Sequence, residues 1–310
     1  MIDKKTCLLS GNFAFDIIKV REYHDGFAVG KKNKFEEKVV VESIGNTCGN
    51  VSCILSYLGV QTFPIGHFDL SDYGLRMKED LQRYGADIRF VDNSVNGGTT
   101  LFDCTHKVNK AGEKTFSIRV TSPSSRFPKR KFIRLRDEAP EFMEKLDFGP
   151  DVYFFDASEA GLRYIAEQLR KKGTLIYFEP ESDNEQKKFL KGVKLSDIVK
   201  FSHERISDIS FTEQYKDKLF IRTLGVEGLE FNLCGKGWIK LGSIPNDNVV
   251  DTEGAGDWIT SQFIACLCEK DCLSISKMTE SLIKECLNKA IEIASRSVSF
   301  IGSKGMIALK

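Results

Sequence analysis

No stretch of this 310-residue chain approaches the ~20 apolar residues that a membrane-spanning helix needs. Its 45 basic and 44 acidic side chains leave a net charge of +1, so bulk electrostatics gives no case for nucleic-acid or membrane partners. Histidine is scarce: His24, His67, His106 and His203 are scattered without metal-ligand spacing and receive no catalytic role. A Walker-type Gly-Lys-Ser/Thr loop is missing, so phosphates are not cradled that way. The first strand is followed by Gly11-Asn12-Phe13-Ala14-Phe15-Asp16, not the G-x-G-x-x-G that binds pyrophosphate, which argues against a dinucleotide oxidoreductase. There is no internal repeat, no low-complexity segment and no export-type apolar segment after Met1-Ile2-Asp3-Lys4-Lys5, so the chain reads as cytoplasmic. Nine cysteines, odd in number and irregular in spacing, then read as reduced thiols. Cys266, Cys268 and Cys272 are close in sequence, but residues two apart on a helix face different ways, so small buried hydrophobes are expected and not a metal site.

What is present is an ordinary globular composition, 41% hydrophobic and 29% charged, long enough for one large core or two modest ones. Apolar strands alternate with amphipathic helices, which predicts a parallel sheet covered on both faces. Strands are expected at Thr6–Ser10, Asp151–Phe155, Leu175–Phe178, Asp197–Phe201 and Leu219–Thr223. Met77, Leu81 and Tyr84 mark a helix ending at Gly85; Leu162, Ile165, Ala166 and Leu169 mark another, ending at Gly173. Asn50–Leu58 and the Ile283-to-Val298 stripe complete the helical set. Lys38–Val41 and Thr99–Arg119 break the alternation. The second reads as a hairpin with Asn109-Lys110-Ala111-Gly112 as its turn, and the two excursions are suited to pairing as one small sheet. A basic run from Arg126 to Arg136 reads as a solvated loop, or alternatively as a phosphate grip.

The most informative stretch is Asp251-Thr252-Glu253-Gly254-Ala255-Gly256-Asp257, followed by an almost wholly apolar run to Cys268. A glycine-rich turn feeding a buried helix leaves N–H groups unpaired at the positive end of the helix dipole, which is an anion site. A carboxylate there is useful as a base that takes a proton from a nucleophile attacking a group held by those N–H groups. The alternative is an ordinary helix cap on a tight turn.

This stretch resembles the C-terminal D-T-x-G-A-G-D signature of the ribokinase-like (PfkB) carbohydrate kinases. Gly45-Asn46-Thr47-Cys48-Gly49-Asn50-Val51 is similar to that family's N-terminal signature, and Gly11 with Asp16 to its first substrate-side element. Ile65-Gly66-His67-Phe68-Asp69 through Gly74, and Thr223-Leu224-Gly225 with Gly228, are similar to further family elements in the family order. The chain departs from the pattern at Asn46, where the family has a second glycine; at Trp258-Ile259; and at Phe178-Glu179-Pro180-Glu181-Ser182, where the family has D-x-N-x-R.

The resemblance implies one three-layer α/β/α domain over residues 1–310, with a mostly parallel central sheet and a small β lid inserted at about 17–43 and 96–120. It implies an ATP-dependent kinase acting on a hydroxyl, primary for choice, of a small sugar. Asp257 would be the general base, and the amides of Gly254, Ala255, Gly256 and Asp257 would form the anion hole. Asp16, Gly45, Asn46 and Asn50 would meet the acceptor; Thr223, Gly225, Gly228, Thr252, Ala294 and Ser295 would border ATP. Glu204 would serve Mg²⁺ through water, and Asp251 a monovalent cation such as K⁺. An uncovered lid sheet would favour a homodimer, because exposed strand edges tend to be paired. A nucleoside or sugar-phosphate acceptor, and a binding protein without catalysis, are the alternatives.

Overall fold

The computed structural model describes residues 4–23, 35–95, 99–108, 114–121 and 138–307. Its strands are β1 (Thr6–Ser10), β2 (Ala14–Tyr23), β3 (Phe35–Gly45), β4 (Gln61–Asp69), β5 (Val91–Val95), β6 (Leu101–Val108), β7 (Lys114–Thr121), β8 (Val152–Phe155), β9 (Leu175–Phe178), β10 (Ile198–Ser202), β11 (Leu219–Thr223), β12 (Leu229–Leu233) and β13 (Trp238–Leu241). Its helices are α1 (Asn46–Tyr57), α2 (Asp72–Arg83), α3 (Glu138–Lys145), α4 (Ala160–Lys171), α5 (Gln186–Leu195), α6 (Ala255–Glu269) and α7 (Glu280–Ser297). The turn expected at 109–112 and the basic run at 126–136 lie outside the described residues.

Nine strands form the main sheet in the order β13-β12-β11-β10-β9-β8-β1-β4-β5, parallel from β11 to β5 and antiparallel at the β12 and β13 edge. The parallel strands are short and apolar on both faces because both are covered. Period-two alternation splits their side chains between two cores. Cys7, Leu9, Val152 and Phe154 point to the layer of α1, α6 and α7, while Leu8, Tyr153 and Phe155 point to that of α3, α4 and α5. Met77 and Leu81 of α2 and Leu162, Ile165 and Leu169 of α4 bury the stripes read from the sequence.

Central β1 is flanked by β4 on one side and β8 on the other, so the strand order reverses there. In open α/β sheets that reversal opens a crevice beyond the carboxyl ends of the strands. The short segments after β1, β9, β10 and β11 all reach it. A second sheet, β3-β2-β6-β7, is built from the two excursions together with β2, which the residue pattern did not disclose, and pairs β2 with β6 in parallel. The sequence pattern also missed β4, β5, β12, β13, α3 and α5.

The thiol reading needs one correction. Cys266 of α6 is bonded to Cys286 of α7, with their Cα atoms 5.6 Å apart; the other seven cysteines are free. Spacing along one helix could not reveal this, because the partner lies on the helix packed against it.

Candidate active site

Helix α6 begins at Gly254, whose left-handed backbone (φ 83°) turns the chain into the helix. A Cβ at Gly254 would lie 2.3 Å from Cβ of Ser303, so the position excludes any side chain. No side chain caps this helix, and among the described residues the N–H groups of Gly256 and Asp257 meet no acceptor. The Ala255 N–H donates to the Thr252 carbonyl at 3.3 Å. Two donors, the N–H groups of Gly256 and Asp257, therefore face the crevice with the dipole behind them, and the Ala255 N–H expected to join them is turned inward to the Thr252 carbonyl.

Asp257 lies in the first turn of α6, only 8% exposed. Its Oδ2 accepts from Asn50 Nδ2 of α1 at 2.7 Å. Asn50 is fixed in turn: its Oδ1 accepts from Ser303 Oγ (2.7 Å) and from Lys304 Nζ (2.6 Å). Burial, reinforced by the Glu179 carboxylate, raises the Asp257 carboxyl from 3.8 to about 7, against the pull of Asn50, Lys200 and Lys304. Glu179, at the end of β9, accepts from Lys200 Nζ of β10 and Thr260 Oγ1 of α6. Asp257 is thus a desolvated carboxyl whose proton affinity sits near neutral pH, suited to general-base work.

Opposite, the loop after β1 brings Asn12, and the start of β2 brings Asp16, to the same crevice. Burial pushes Asp16 up to about 6, with Lys304 opposing. Asn12 is buried, yet neither polar atom of its side-chain amide has a partner among the described residues. Asp156, after β8, accepts from the Asn12 N–H (2.7 Å) and from the Cys48 N–H (3.0 Å), tying that loop to the start of α1. Burial, with the Glu181 carboxylate next, drives Asp156 well above the usual carboxylate range.

One cavity of about 1390 Å³ joins Asn12, Asp16, Asn50, Glu179, Lys200 and Asp257. Of the residues singled out in the sequence, Asp16, Asn46, Asn50, Thr223, Gly225, Gly228, Asp251, Thr252, Gly254–Asp257, Ala294, Ser295 and Glu204 all line it. Gly45 does not. The space where its side chain would stand is filled by the Asp16 carboxylate, about 2 Å from an added Cβ (1.9–2.1 Å), so Gly45 makes room for Asp16 and not for a ligand. Asn46 carries a left-handed backbone (φ 62°), which explains a glycine at this position in the signature and the tolerance of asparagine here.

A profile of the pfkB family of carbohydrate kinases matches residues 12–307. The chain belongs to that family. Comparison with curated protein sequences finds no match. Among solved structures the chain is similar to an uncharacterised sugar kinase of Pyrococcus horikoshii (18% identity, TM-score 0.62, covering 97% of this chain and 93% of that one). It is also similar to the ribokinase of Arabidopsis thaliana, solved with ribose and ATP (17%, 0.66, 97% and 94%). A third likeness is to the fructokinase of Xylella fastidiosa, solved with ATP (14%, 0.69, 96% and 93%). At these identities the neighbours establish the ribokinase-like fold.

The residues expected from the resemblance to border ATP line the same cavity. Gly228 (φ 96°) packs so tightly that a Cβ would stand 2.2 Å from the Leu241 carbonyl. The Thr223 carbonyl accepts from the His203 N–H, and the Ser295 hydroxyl donates to the Ile244 carbonyl at 2.9 Å, so both residues shape the wall. Among the described residues no three His, Cys, Asp or Glu side chains converge as a metal cage. Magnesium needs none when it keeps several waters and rides on substrate phosphates, and exposed Glu204 on the cavity wall fits that mode.

Sequence reasoning missed Asn12, Asp156, Glu179, Lys200, Ser303 and Lys304. Glu179 stood in the segment flagged as a departure; Lys304 is a lone C-terminal lysine with no signal at all. Trp258 is explained by the structure: wholly buried, it donates through Nε1 to the Ser303 carbonyl (2.8 Å) and so anchors the segment that holds Asn50.

Proposed function

We propose that the protein transfers the γ-phosphoryl group of ATP to a hydroxyl, a primary one, of a small carbohydrate. The observation that carries this is the meeting of a neutral-range carboxylate, Asp257, and an uncapped helix N-terminus in a single cavity. ATP occupies the end bounded by Thr223, Gly225, Gly228, Thr252, Ala294 and Ser295. Glu204, exposed on the cavity wall, would hold magnesium through water, and the ion would supply charge neutralisation for the phosphates.

The acceptor lies between Asn12, Asp16 and Asn46. Asn12 offers an unpaired donor and acceptor, and Asp16 an acceptor, which suits neighbouring sugar hydroxyls. Asn50 acts on Asp257, holding its Oδ2 so that the other oxygen is free to take the hydroxyl proton. The N–H groups of Gly256 and Asp257 receive the charge that builds on the transferred group; one such donor is typically worth about 3–4 kcal/mol. Ile18, Phe102, Ile118 and Val120 of the small sheet line the cavity and serve as a lid that excludes water.

That apolar wall also favours a second reading, in which the acceptor is a nucleoside whose base lies against the lid. A steady-state panel of sugars and nucleosides with ATP and Mg²⁺ tests both. Turnover on sugars supports the first, turnover on nucleosides alone the second, and ATP binding without turnover on either would sink the assignment.

A further inference from the structure

His106 stands on β6 between Val20 of β2 and Phe116 of β7, and reaches out of the small sheet to the loop that precedes α6. Its Nε2 lies 3.3 Å from Oδ2 of Asp251, with the two side chains 18% and 1% exposed. That nitrogen is buried and, among the described residues, has no well-aligned hydrogen-bond partner; the Asp251 carboxylate is what it faces. The Phe116 ring, 4.7 Å away between centroids, packs on the imidazole.

Asp251 is already engaged at both oxygens. Oδ1 accepts from the Glu253 N–H (3.0 Å) and Oδ2 from the Gly302 N–H (2.8 Å). A monovalent cation such as K⁺ is held by oxygens that replace its hydration shell. A buried carboxylate ringed by N–H groups presents the positive ends of dipoles along the directions from which the ion would approach. The donor set here does not fit K⁺.

We propose that His106 is a positioning residue for phosphoryl transfer, standing at Asp251 in place of a monovalent cation and tying the small sheet to the anion loop. The inference rests on the phosphotransferase reading above. Its consequence runs through two hydrogen-bonded branches. Asp251 fixes the Glu253 N–H, next to the turn that presents the α6 donors. It also fixes the Gly302 N–H, next to Ser303 and Lys304, which hold Asn50 against Asp257. Releasing Asp251 therefore shifts the donors and the base together, and a shift of about 1 Å in such a site costs up to ~100-fold in rate. At Gly302 the small sheet also leans directly on this segment, with Ile18 Cδ1 2.9 Å from where a Cβ would stand.

The test compares wild type, His106→Ala and His106→Gln in KCl and in tetramethylammonium chloride at equal ionic strength, by thermal melts and by steady-state kinetics. Wild type is expected to melt and turn over alike in both salts. In tetramethylammonium, His106→Ala is expected to lose about tenfold in kcat with both KM values nearly unchanged. KCl should restore much of that loss and raise the variant's Tm. His106→Gln, which keeps an N–H donor, should be the milder variant and insensitive to K⁺. A wild type that K⁺ activates or stabilises overturns the proposal, as does His106→Ala behaving like wild type in tetramethylammonium. If wild type turns over no acceptor, the phosphotransferase reading fails separately, and the melts still decide whether K⁺ has a place at Asp251 only once His106 is gone.

Discussion

Two helices open onto the cavity, and their first turns are treated in opposite ways. At α1 the early N–H groups are consumed by side chains: Asn46 Oδ1 takes that of Thr47 (2.7 Å), and Asp156 Oδ2 that of Cys48 (3.0 Å). At α6 no side chain caps the helix, and the donors of Gly256 and Asp257 are left to the cavity. A helix N-terminus is an anion site only while its donors are unspent. The same local motif, glycine before a helix, is therefore structural on one side and available for phosphate on the other. The Asn50–Asp257 hydrogen bond joins the two, so the saturated helix serves as the rigid mount for the Asp257 carboxyl on the open one.

The largest effect should follow from breaking the open side. Asp257→Asn is expected to lower kcat by about 10²–10⁴-fold, the usual contribution of a positioned base, with ATP affinity retained in a calorimetric titration. The same variant should be more stable than wild type above neutral pH. The folded-state pKa of about 7 exceeds the ordinary 3.8, so native protein loses stability as pH rises from about 4 to 7. Replacing the carboxyl removes that cost, which is at most on the order of 4 kcal/mol. The gain in Tm should be present at pH 8 and vanish near pH 4. In wild type, kcat/KM should climb with pH and level off above about 7, as the carboxylate forms. A flat profile from pH 5 to 9 would remove Asp257 from proton transfer.

Gly254→Ala comes next. The added methyl meets Ser303 and the residue must keep a left-handed backbone, so the two donors move. A loss of about 10²–10³-fold in kcat is expected, comparable with removing one preorganised donor. On the saturated side the effect should appear as stability instead. Asp156→Ala strips acceptors from two buried N–H groups, at about 1–3 kcal/mol each, read as a lower denaturation midpoint.

This division was only half legible in the sequence. Period-two and helical patterns disclosed the strands and helices whose burial is one-sided or continuous, such as β1 and α4. They missed β12 and β13, whose antiparallel edge position gives the strands a weaker signature, and α5, whose turn-rich approach hides its start. Gly254 to Asp257 was readable because glycines, an acid and an apolar run stand within a dozen residues. The groups that hold Asn50 against Asp257 were not. Ser303 and Lys304 lie 253 and 254 residues from Asn50 in the chain, and only folding makes them neighbours. Gly45 shows the limit most clearly, since its purpose is the room it leaves for Asp16, which no local pattern encodes.

The smallest effect belongs to Asn46, which sharpens the comparison because it stands on the saturated side yet lines the cavity. Asn46→Gly removes the Oδ1 bond to the Thr47 N–H but relieves a Cβ held in left-handed backbone (φ 62°). The two terms, a hydrogen bond of about 1 kcal/mol and a left-handed penalty of about 1–2 kcal/mol, nearly cancel. Stability should therefore change by less than about 1 kcal/mol in a denaturant melt. Asn46→Ala loses the bond and keeps the strain, so it should be the less stable of the pair. If Asn46 faces the acceptor, Asn46→Gly should alter the acceptor KM several-fold while leaving the KM for ATP unchanged. A change confined to ATP would instead place Asn46 on the wrong side of the site, and the acceptor would then rest on Asn12 and Asp16 alone.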